Sequence, residues 1–212
     1  MSASAYARSM PALGFDPTPG DPDSTTRLAS RYAEIAAELT QIAAVIGQLS
    51  LSGWQGRAGT TARARLAGLA PAIAGSADAA TQLSGIAAAW SARLGTYQSE
   101  SDVLESRAAA EIGLQQSLTT MRSRFATTAG EQAGLAAPPG TPVALLTADL
   151  ADSATALSAI RAQAEQLHEE YLAAAAAMMT QVNLAAWWDS TDGVRAKIEA
   201  PLAFTDRQRF QS

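Results

Sequence analysis

Seven large apolar residues recur between positions 28 and 49 at alternating steps of four and three residues. They are Leu28, Tyr32, Ile35, Leu39, Ile42, Ile46 and Leu49. This heptad spacing places all of them on one face of an α-helix, where they would form a seam against a neighbouring helix. The pattern therefore predicts a first helix over about 24–50, with Asp23 or Ser24 as its N-terminal cap.

Glycine and proline divide the rest of the chain at two places. Three glycines at 53, 56 and 59 interrupt the helical pattern, and the proline-rich run 136–142 interrupts it again. Helical spacing of apolar residues predicts a second helix over about 58–134 and a third over about 142–187. Because short connections make successive helices antiparallel, we expect an all-α fold of elongated antiparallel helical hairpins, in which the first and third helices share the central one.

These patterns divide the chain into four segments. Residues 1–23 form an irregular arm rich in proline and glycine, and 24–135 form a helical hairpin with an extended second helix. A third, coiled-coil helix follows over 136–188, and 189–212 is a polar tail. From the helix lengths, the first helix should begin and the third helix should end near Trp90, which would then meet Trp187 or Trp188 in an aromatic junction.

Composition excludes several kinds of chemistry. The sequence has no cysteine and one histidine, so thiolate metal sites and sites built on paired histidines cannot form. No nucleophile elbow, phosphate-binding loop or zinc-protease motif is present. The formal net charge of −5 argues against non-specific nucleic-acid binding. We therefore predict a non-enzymatic protein that uses neither metal nor cofactor.

The charged residues of the predicted helices are expected to lie on a surface in contact with water. Glu100, Asp102 and Glu105 lie close together on the second predicted helix and are expected to face water. His168 follows the seam residue Leu167 and is expected at the boundary with solvent. The charge-free run 171–188 is rich in alanine and too weakly apolar to predict a membrane span. The N-terminus lacks the apolar core of a Sec signal peptide, so we expect cytoplasmic residence or export by a route that accepts helical cargo.

The most distinctive motif is Trp54-Gln55-Gly56, which lies in the turn between the first two predicted helices. Glycine at position 56 permits a tight reversal of the chain. The tryptophan either covers the end of its own hairpin or presents its ring to a partner, and the sequence leaves both alternatives open.

This W-x-G turn resembles the WXG-type family of type VII (ESX-like) secretion substrates. The arm carries a second likeness, because Phe15 is followed by D-P-T-P-G-D-P, which resembles the lead-in of actinobacterial type VII secretion signal domains. Those proteins continue with a long second helix, a third coiled-coil helix and a Trp-Trp pair, which Trp187 and Trp188 match. The resemblance covers residues 1–188.

The resemblance implies a helical interaction protein of a type VII secretion system, either a secreted substrate or the pairing partner of one. The partner would be a WXG-type helical hairpin or a second copy of the chain, giving a hetero- or homodimer, and a secretion ATPase would contact Trp54 and Gly56. The family's export pattern, usually Tyr-x-x-x-acid, has a counterpart in Trp188 and Asp192 with tryptophan as the aromatic residue. Such a protein is cytoplasmic before export and afterwards secreted or associated with the cell envelope.

Two alternatives remain from the sequence. One is a cytoplasmic structural coiled-coil protein, or a chaperone-like or antitoxin-like binding protein, that is never exported. The other is a folded carrier whose effector domain has been lost. Genes for a membrane-bound secretion ATPase or a small W-x-G protein beside this one would favour the secretion hypothesis.

Overall fold

The structure is a computed structural model that describes residues 7–50, 52–129 and 140–187. Three helices account for most of these residues: α1 over Pro22–Gln48, α2 over Gly56–Ala129 and α3 over Pro142–Trp187. No strand occurs in the described ranges. The all-α prediction is confirmed, and α1 and α2 each begin two residues before the predicted positions.

The start of α1 differs from the prediction because the cap lies earlier. Asp21 is the N-cap, and its carboxylate accepts a 3.0 Å hydrogen bond from the backbone N–H of Asp23. Pro22 occupies the first helical turn, where its fixed φ and missing N–H cost nothing. The Ser24 hydroxyl also donates to Asp21, and this hydrogen bond is the main reason why the pKa of Asp21 lies below its usual value.

Packing contacts group the chain into two compact units. The first, here the arm unit, combines the chain up to Gly20 with Leu94–Ala174. The second, here the α1 unit, combines Asp21–Arg93 with the chain from Ala175 onward. The boundaries predicted from sequence lie at the connections between helices. The units instead group backbone segments that lie close together, so α2 and α3 contribute to both.

The core of the arm unit contains large side chains from three parts of the chain. The N-terminal arm itself supplies Met10, Ala12 and Leu13, which are buried against α2 and α3. The helices contribute Leu104, Ala108, Leu157, Ile160, Ala164 and Leu167 to the same cluster. The predicted irregular arm does lack helical structure over residues 7–20, but it is an integral part of a hydrophobic core.

In the α1 unit, α1 and α2 run in opposite directions. The Ser91 hydroxyl donates to the carbonyl of Pro22 at 2.9 Å, and the Ser84 hydroxyl donates to the carbonyl of Ala29 at 2.8 Å. Seven residues forward along α1 therefore correspond to seven residues back along α2. Serine and alanine at these contacts leave room for the two backbones to approach closely.

The predicted seam of α1 is displaced by one position in the structure. Tyr32, Leu39 and Ile46 are half-buried, but the fully buried residues of α1 are Ala29 and Ala36. The other predicted seam residues are exposed, namely Leu28, Ile35, Ile42 and Leu49. Alanine allows a closer helix approach than leucine or isoleucine, so the packed face of α1 centres on its small residues.

Helix α3 is apolar enough to merit comparison with a membrane span. Its segment Pro142–Ala185 contains an 18-residue window with a mean hydropathy of 1.4, of which 17% is buried. By length and composition alone this helix passes the test for crossing a bilayer, as core helices of soluble proteins also do. In the arm unit its apolar residues Leu157, Ile160 and Leu167 pack in the core.

Candidate functional site

The turn between α1 and α2 is shaped by two glycines. Gly56 adopts a φ of +80°, a conformation that side chains with a Cβ rarely take. Gly59 lies under the turn, where an added Cβ would be 2.8 Å from the carbonyl carbon of Trp54. The spacing W-x-G-x-x-G thus sets the backbone path of this turn.

Trp54 is held by its backbone, while its ring is largely in solvent. The Arg63 guanidinium donates a 3.3 Å hydrogen bond to the Trp54 carbonyl. The residue is 59% exposed, so much of its surface is accessible to solvent. Of the two interpretations left open by the sequence, the geometry favours a ring available for contact with a partner.

A row of exposed apolar residues extends along α1. We call this row the α1 stripe, and its members are 43–60% exposed: Leu28, Ile35, Ile42, Val45 and Leu49. Val45 was missed by the heptad reading because it lies one residue before the seam position Ile46. The stripe belongs to the α1 unit, as does Trp54.

The predicted aromatic junction and export pattern are only partly within the described residues. Trp90 is half-buried on α2, in the α1 unit. The side chain of Trp187, and the whole of Trp188 and Asp192, lie outside the described part of the chain. Their proposed contacts therefore stay predictions.

A second site, not foreseen from the sequence, fixes the arm in its own unit. Arg8 is paired with Asp16 at 3.3 Å and with Asp102 at 2.7 Å. The Asp16 side chain is only 1% exposed, and it also accepts hydrogen bonds from the backbone N–H groups of Arg8 and Thr18. A buried carboxylate needs such partners. Since the partners of Asp16 lie on both sides of it in the arm, their contacts close the arm into a loop.

Polar side chains of α2 and α3 bind the backbone of the arm. Both carboxylate oxygens of Glu105 accept 2.9 Å hydrogen bonds from the N–H groups of Ala12 and Leu13. The Gln98 amide donates to the Gly20 carbonyl at 3.0 Å, and Arg161 donates to the Ala12 carbonyl at 3.2 Å. These bonds satisfy main-chain groups that have no helix or strand partner.

Aromatic residues line the same contact. His168 Nδ1 lies 2.7 Å from the Pro17 carbonyl oxygen, and the Tyr171 hydroxyl donates to the Pro19 carbonyl at 2.6 Å. The rings of His168 and Tyr171 are stacked with centroids 6.3 Å apart, and Phe15 meets His168 edge-on at 6.0 Å. The D-P-T-P-G segment is thus held through the carbonyls of its prolines.

Two expectations from the sequence are incomplete. His168 is half-buried, as a residue at the boundary with solvent would be, but it also binds the arm. Asp102 and Glu105 are not only a solvated face, since they bind Arg8 and the arm backbone. The sequence did carry a signal for this contact. The prolines of the arm exclude a helix, so its buried carbonyl groups need donors from other segments.

No group of three or more potential metal ligands occurs in the described residues. Comparison of the chain with protein-family models, curated proteins and solved structures finds no match. The surfaces described above consequently carry the functional argument.

Proposed function

We propose that this chain is a non-enzymatic helical interaction protein of a type VII secretion system, either a secreted substrate or the pairing partner of one. It acts by packing the α1 stripe against a partner hairpin, while Trp54 contacts the partner or a secretion ATPase. The W-x-G turn and the D-P-T-P-G-D-P arm suggest this system.

The observation that carries the proposal is the apolar surface that the α1 unit leaves in solvent. Five large residues of the α1 stripe and the Trp54 ring are each more than 40% exposed. Apolar side chains in one contiguous helical row are typical of an interaction surface, whereas scattered ones are normal on any protein. A partner helix would bury them by the heptad packing that their spacing favours.

The charges beside the stripe indicate the direction of a partner helix. Arg31 precedes the centre of the stripe at Ile35, and Glu38 follows it. In an antiparallel pair of α1 helices centred on Ile35, Leu28 of one copy faces Ile42 of the other, and Arg31 faces Leu39, one residue from Glu38. A second copy or a hairpin with the same charge order would satisfy both the apolar and the ionic contacts.

The proposal is tested by export from an actinobacterial host that carries a type VII secretion system. The wild-type chain should be present in the culture filtrate and absent when the secretion ATPase is deleted. Trp54→Ala should reduce export at least tenfold while leaving the melting temperature of the purified protein within about 2 °C, because an exposed ring contributes little to folding. Leu172→Ala is the matched control, since Leu172 is exposed in the arm unit.

The alternative of a cytoplasmic coiled-coil, chaperone-like or antitoxin-like protein gives a different result. In that case the chain would stay in the cell with or without the ATPase. Export that persists without the ATPase would also contradict the proposal. Equal export of Trp54→Ala and Leu172→Ala would remove the recognition role of the turn.

A further inference from the structure

The helix pair of the arm unit has two sides, and the arm covers one of them. The residues that bind the arm, such as Asp102, Glu105 and His168, each follow a buried residue by one position. Residues that precede the core positions by one lie on the other side of each helix, because one residue corresponds to about 100° of rotation. That second side is open in the structure.

The open side contains a groove between α2 and α3. Its volume is about 380 Å³, and the core residues Leu104 and Leu167 form its floor. Exposed Val103 and two glutamines, Gln163 and Gln166, form its walls together with Glu100 and Glu170. The groove thus combines an apolar floor with carboxylate and amide groups along its edges.

Apolar side chains continue this surface along α2. Val103, Leu114, Met121 and Phe125 are all at least 40% exposed, and they follow one another at steps of 11, 7 and 4 residues. These steps keep them on one helical face over a length of about 33 Å. A helix of about six turns matches this length, whereas a small molecule prefers an enclosed pocket.

The charges on this side are unevenly distributed between the two helices. Asp149, Asp152 and Glu170 lie on the exposed surface of α3, each one residue before a buried or half-buried position. On α2 the corresponding charged residues are Glu100 and Arg107. The four acids form no ion pair within the described part of the chain. The α3 edge is therefore acidic, while the apolar row lies on α2.

We propose that this open side of the arm unit is a second docking surface, which binds an amphipathic helix of another protein with lysine or arginine along one flank. The apolar stripe of that helix packs on Val103, Leu114, Met121 and Phe125, and its basic flank faces α3. The acidic edge disfavours an anionic membrane as the occupant. This surface is distinct from the α1 stripe and does not depend on the secretion hypothesis.

The test uses the full chain and two synthetic probes. The first is a fluorescein-labelled 22-residue helical peptide, a length set by the row from Val103 to Phe125, with leucines on one face and lysines on one flank. The second has glutamate in place of each lysine. Fluorescence anisotropy should show at least tenfold tighter binding of the lysine peptide.

Variants of the full chain assign the binding to this surface. Leu114→Glu should weaken binding of the lysine peptide tenfold or more, whereas Leu172→Glu should leave it unchanged because Leu172 is similarly exposed but outside the groove lining. The double variant Asp149→Asn, Asp152→Asn should reduce the preference for lysine over glutamate. Circular dichroism of each variant verifies that the helices are retained.

Three outcomes would overturn the proposal. Equal affinity for the two peptides would remove the charge complementarity, and unchanged binding by Leu114→Glu would place the peptide elsewhere. If the chain instead binds phosphatidylglycerol vesicles and Leu114→Glu abolishes that binding, the surface is a membrane contact. If Leu114→Glu converts a dimer to a monomer in light scattering, the occupant is a second copy.

Discussion

The arm unit and the α1 unit use the same alanine-rich composition but bury different side chains. In the arm unit, Leu94, Leu104 and Ile160 are among the buried residues, together with Met10 and Leu13 of the arm. In the described part of the α1 unit, every buried apolar residue is alanine: Ala29, Ala36, Ala72, Ala77, Ala79, Ala80, Ala87 and Ala185. The larger residues of α1 are half-buried or exposed.

This difference has an energetic consequence. Burying a leucine or isoleucine side chain stabilises a fold by about 1.5–3 kcal/mol, and an alanine methyl contributes far less. The α1 unit therefore gains less from each buried residue, although its packed alanines let the helices approach closely. The large apolar side chains of its α1 stripe stay exposed and add little to the stability of the chain by itself.

The largest expected effect is a contrast between two isoleucines. Ile160→Ala in the arm unit should lower the free energy of unfolding by about 3 kcal/mol, because Ile160 is 4% exposed within the core cluster. Ile42→Ala in the α1 stripe should cost about 0.5 kcal/mol or less, since Ile42 is 47% exposed. Urea denaturation followed by circular dichroism at low protein concentration measures both.

Aspartate substitutions on α1 distinguish the packed face that the heptad predicts from the packed face in the structure. If the predicted seam were the packed face, Ile42→Asp would bury a charge and cost several kcal/mol. With the observed seam, that penalty belongs to Ala36→Asp instead, because Ala36 is 7% exposed. A large loss for Ile42→Asp at concentrations where the chain is monomeric would show that α1 packs on its leucine and isoleucine face.

A smaller effect is expected when the ion pairs of the two units are removed. Arg8→Met should destabilise the arm unit by about 2 kcal/mol, because it leaves the Asp16 carboxylate buried with fewer partners. Arg27→Met is the matched change in the α1 unit. The Arg27–Asp21 pair is 3.6 Å long with an Arg27 side chain that is 70% exposed, so its loss should change stability far less than the loss of Arg8.

Thermal unfolding of the two arginine variants in parallel provides the measurement. Addition of 0.5 M salt reduces the screening length to about 4 Å. The difference in melting temperature between the two variants should narrow only slightly, because the Asp16 side chain is shielded from solvent. Equal destabilisation by both substitutions would mean that the arm contributes no more to stability than a surface ion pair does.

The helices were predictable because their signals are local. Heptad spacing marks α1, glycines mark the turn before α2, and prolines at 138, 139 and 142 mark the break before α3. The choice of packed face on α1 was not predictable in the same way. Alanine and large apolar residues alternate at adjacent positions such as Ile35 and Ala36, and only the distance between helices decides which of them is buried.

The arm site depends on contacts between residues far apart in sequence. Pro17 meets His168 and Pro19 meets Tyr171, at separations of more than 150 residues. The composition of the arm correctly indicated an irregular segment, because its prolines exclude a helix. No local pattern identifies which donors will satisfy its carbonyl groups, so a buried arm and a solvated one look alike in the sequence.

The smallest expected effect concerns Tyr171, whose hydroxyl joins α3 to the arm. Tyr171→Phe should lower the free energy of unfolding at pH 7 by about 1 kcal/mol, because the Pro19 carbonyl loses its donor. Tyr32→Phe in the α1 unit is the control, since Tyr32 has no hydrogen-bond partner among the described residues and should change stability less.

The pH dependence of this residue separates a specific contact from general packing. Burial, and then the nearby charge of Asp16, raises the pKa of Tyr171 above its usual value of 10.0. The neutral phenol is thus favoured in the folded state, so its contribution to stability is fully present below the unfolded pKa and is lost as the pH rises through the higher folded pKa. Urea titrations from pH 8 to pH 11 extend about one unit above the ordinary pKa of tyrosine. Over this range the wild type should lose more stability than Tyr171→Phe. An identical alkaline loss in both proteins would mean that the hydroxyl of Tyr171 does not anchor the arm, and the contrast between the two units would then depend on the buried leucines and isoleucines and on the Arg8–Asp16 pair.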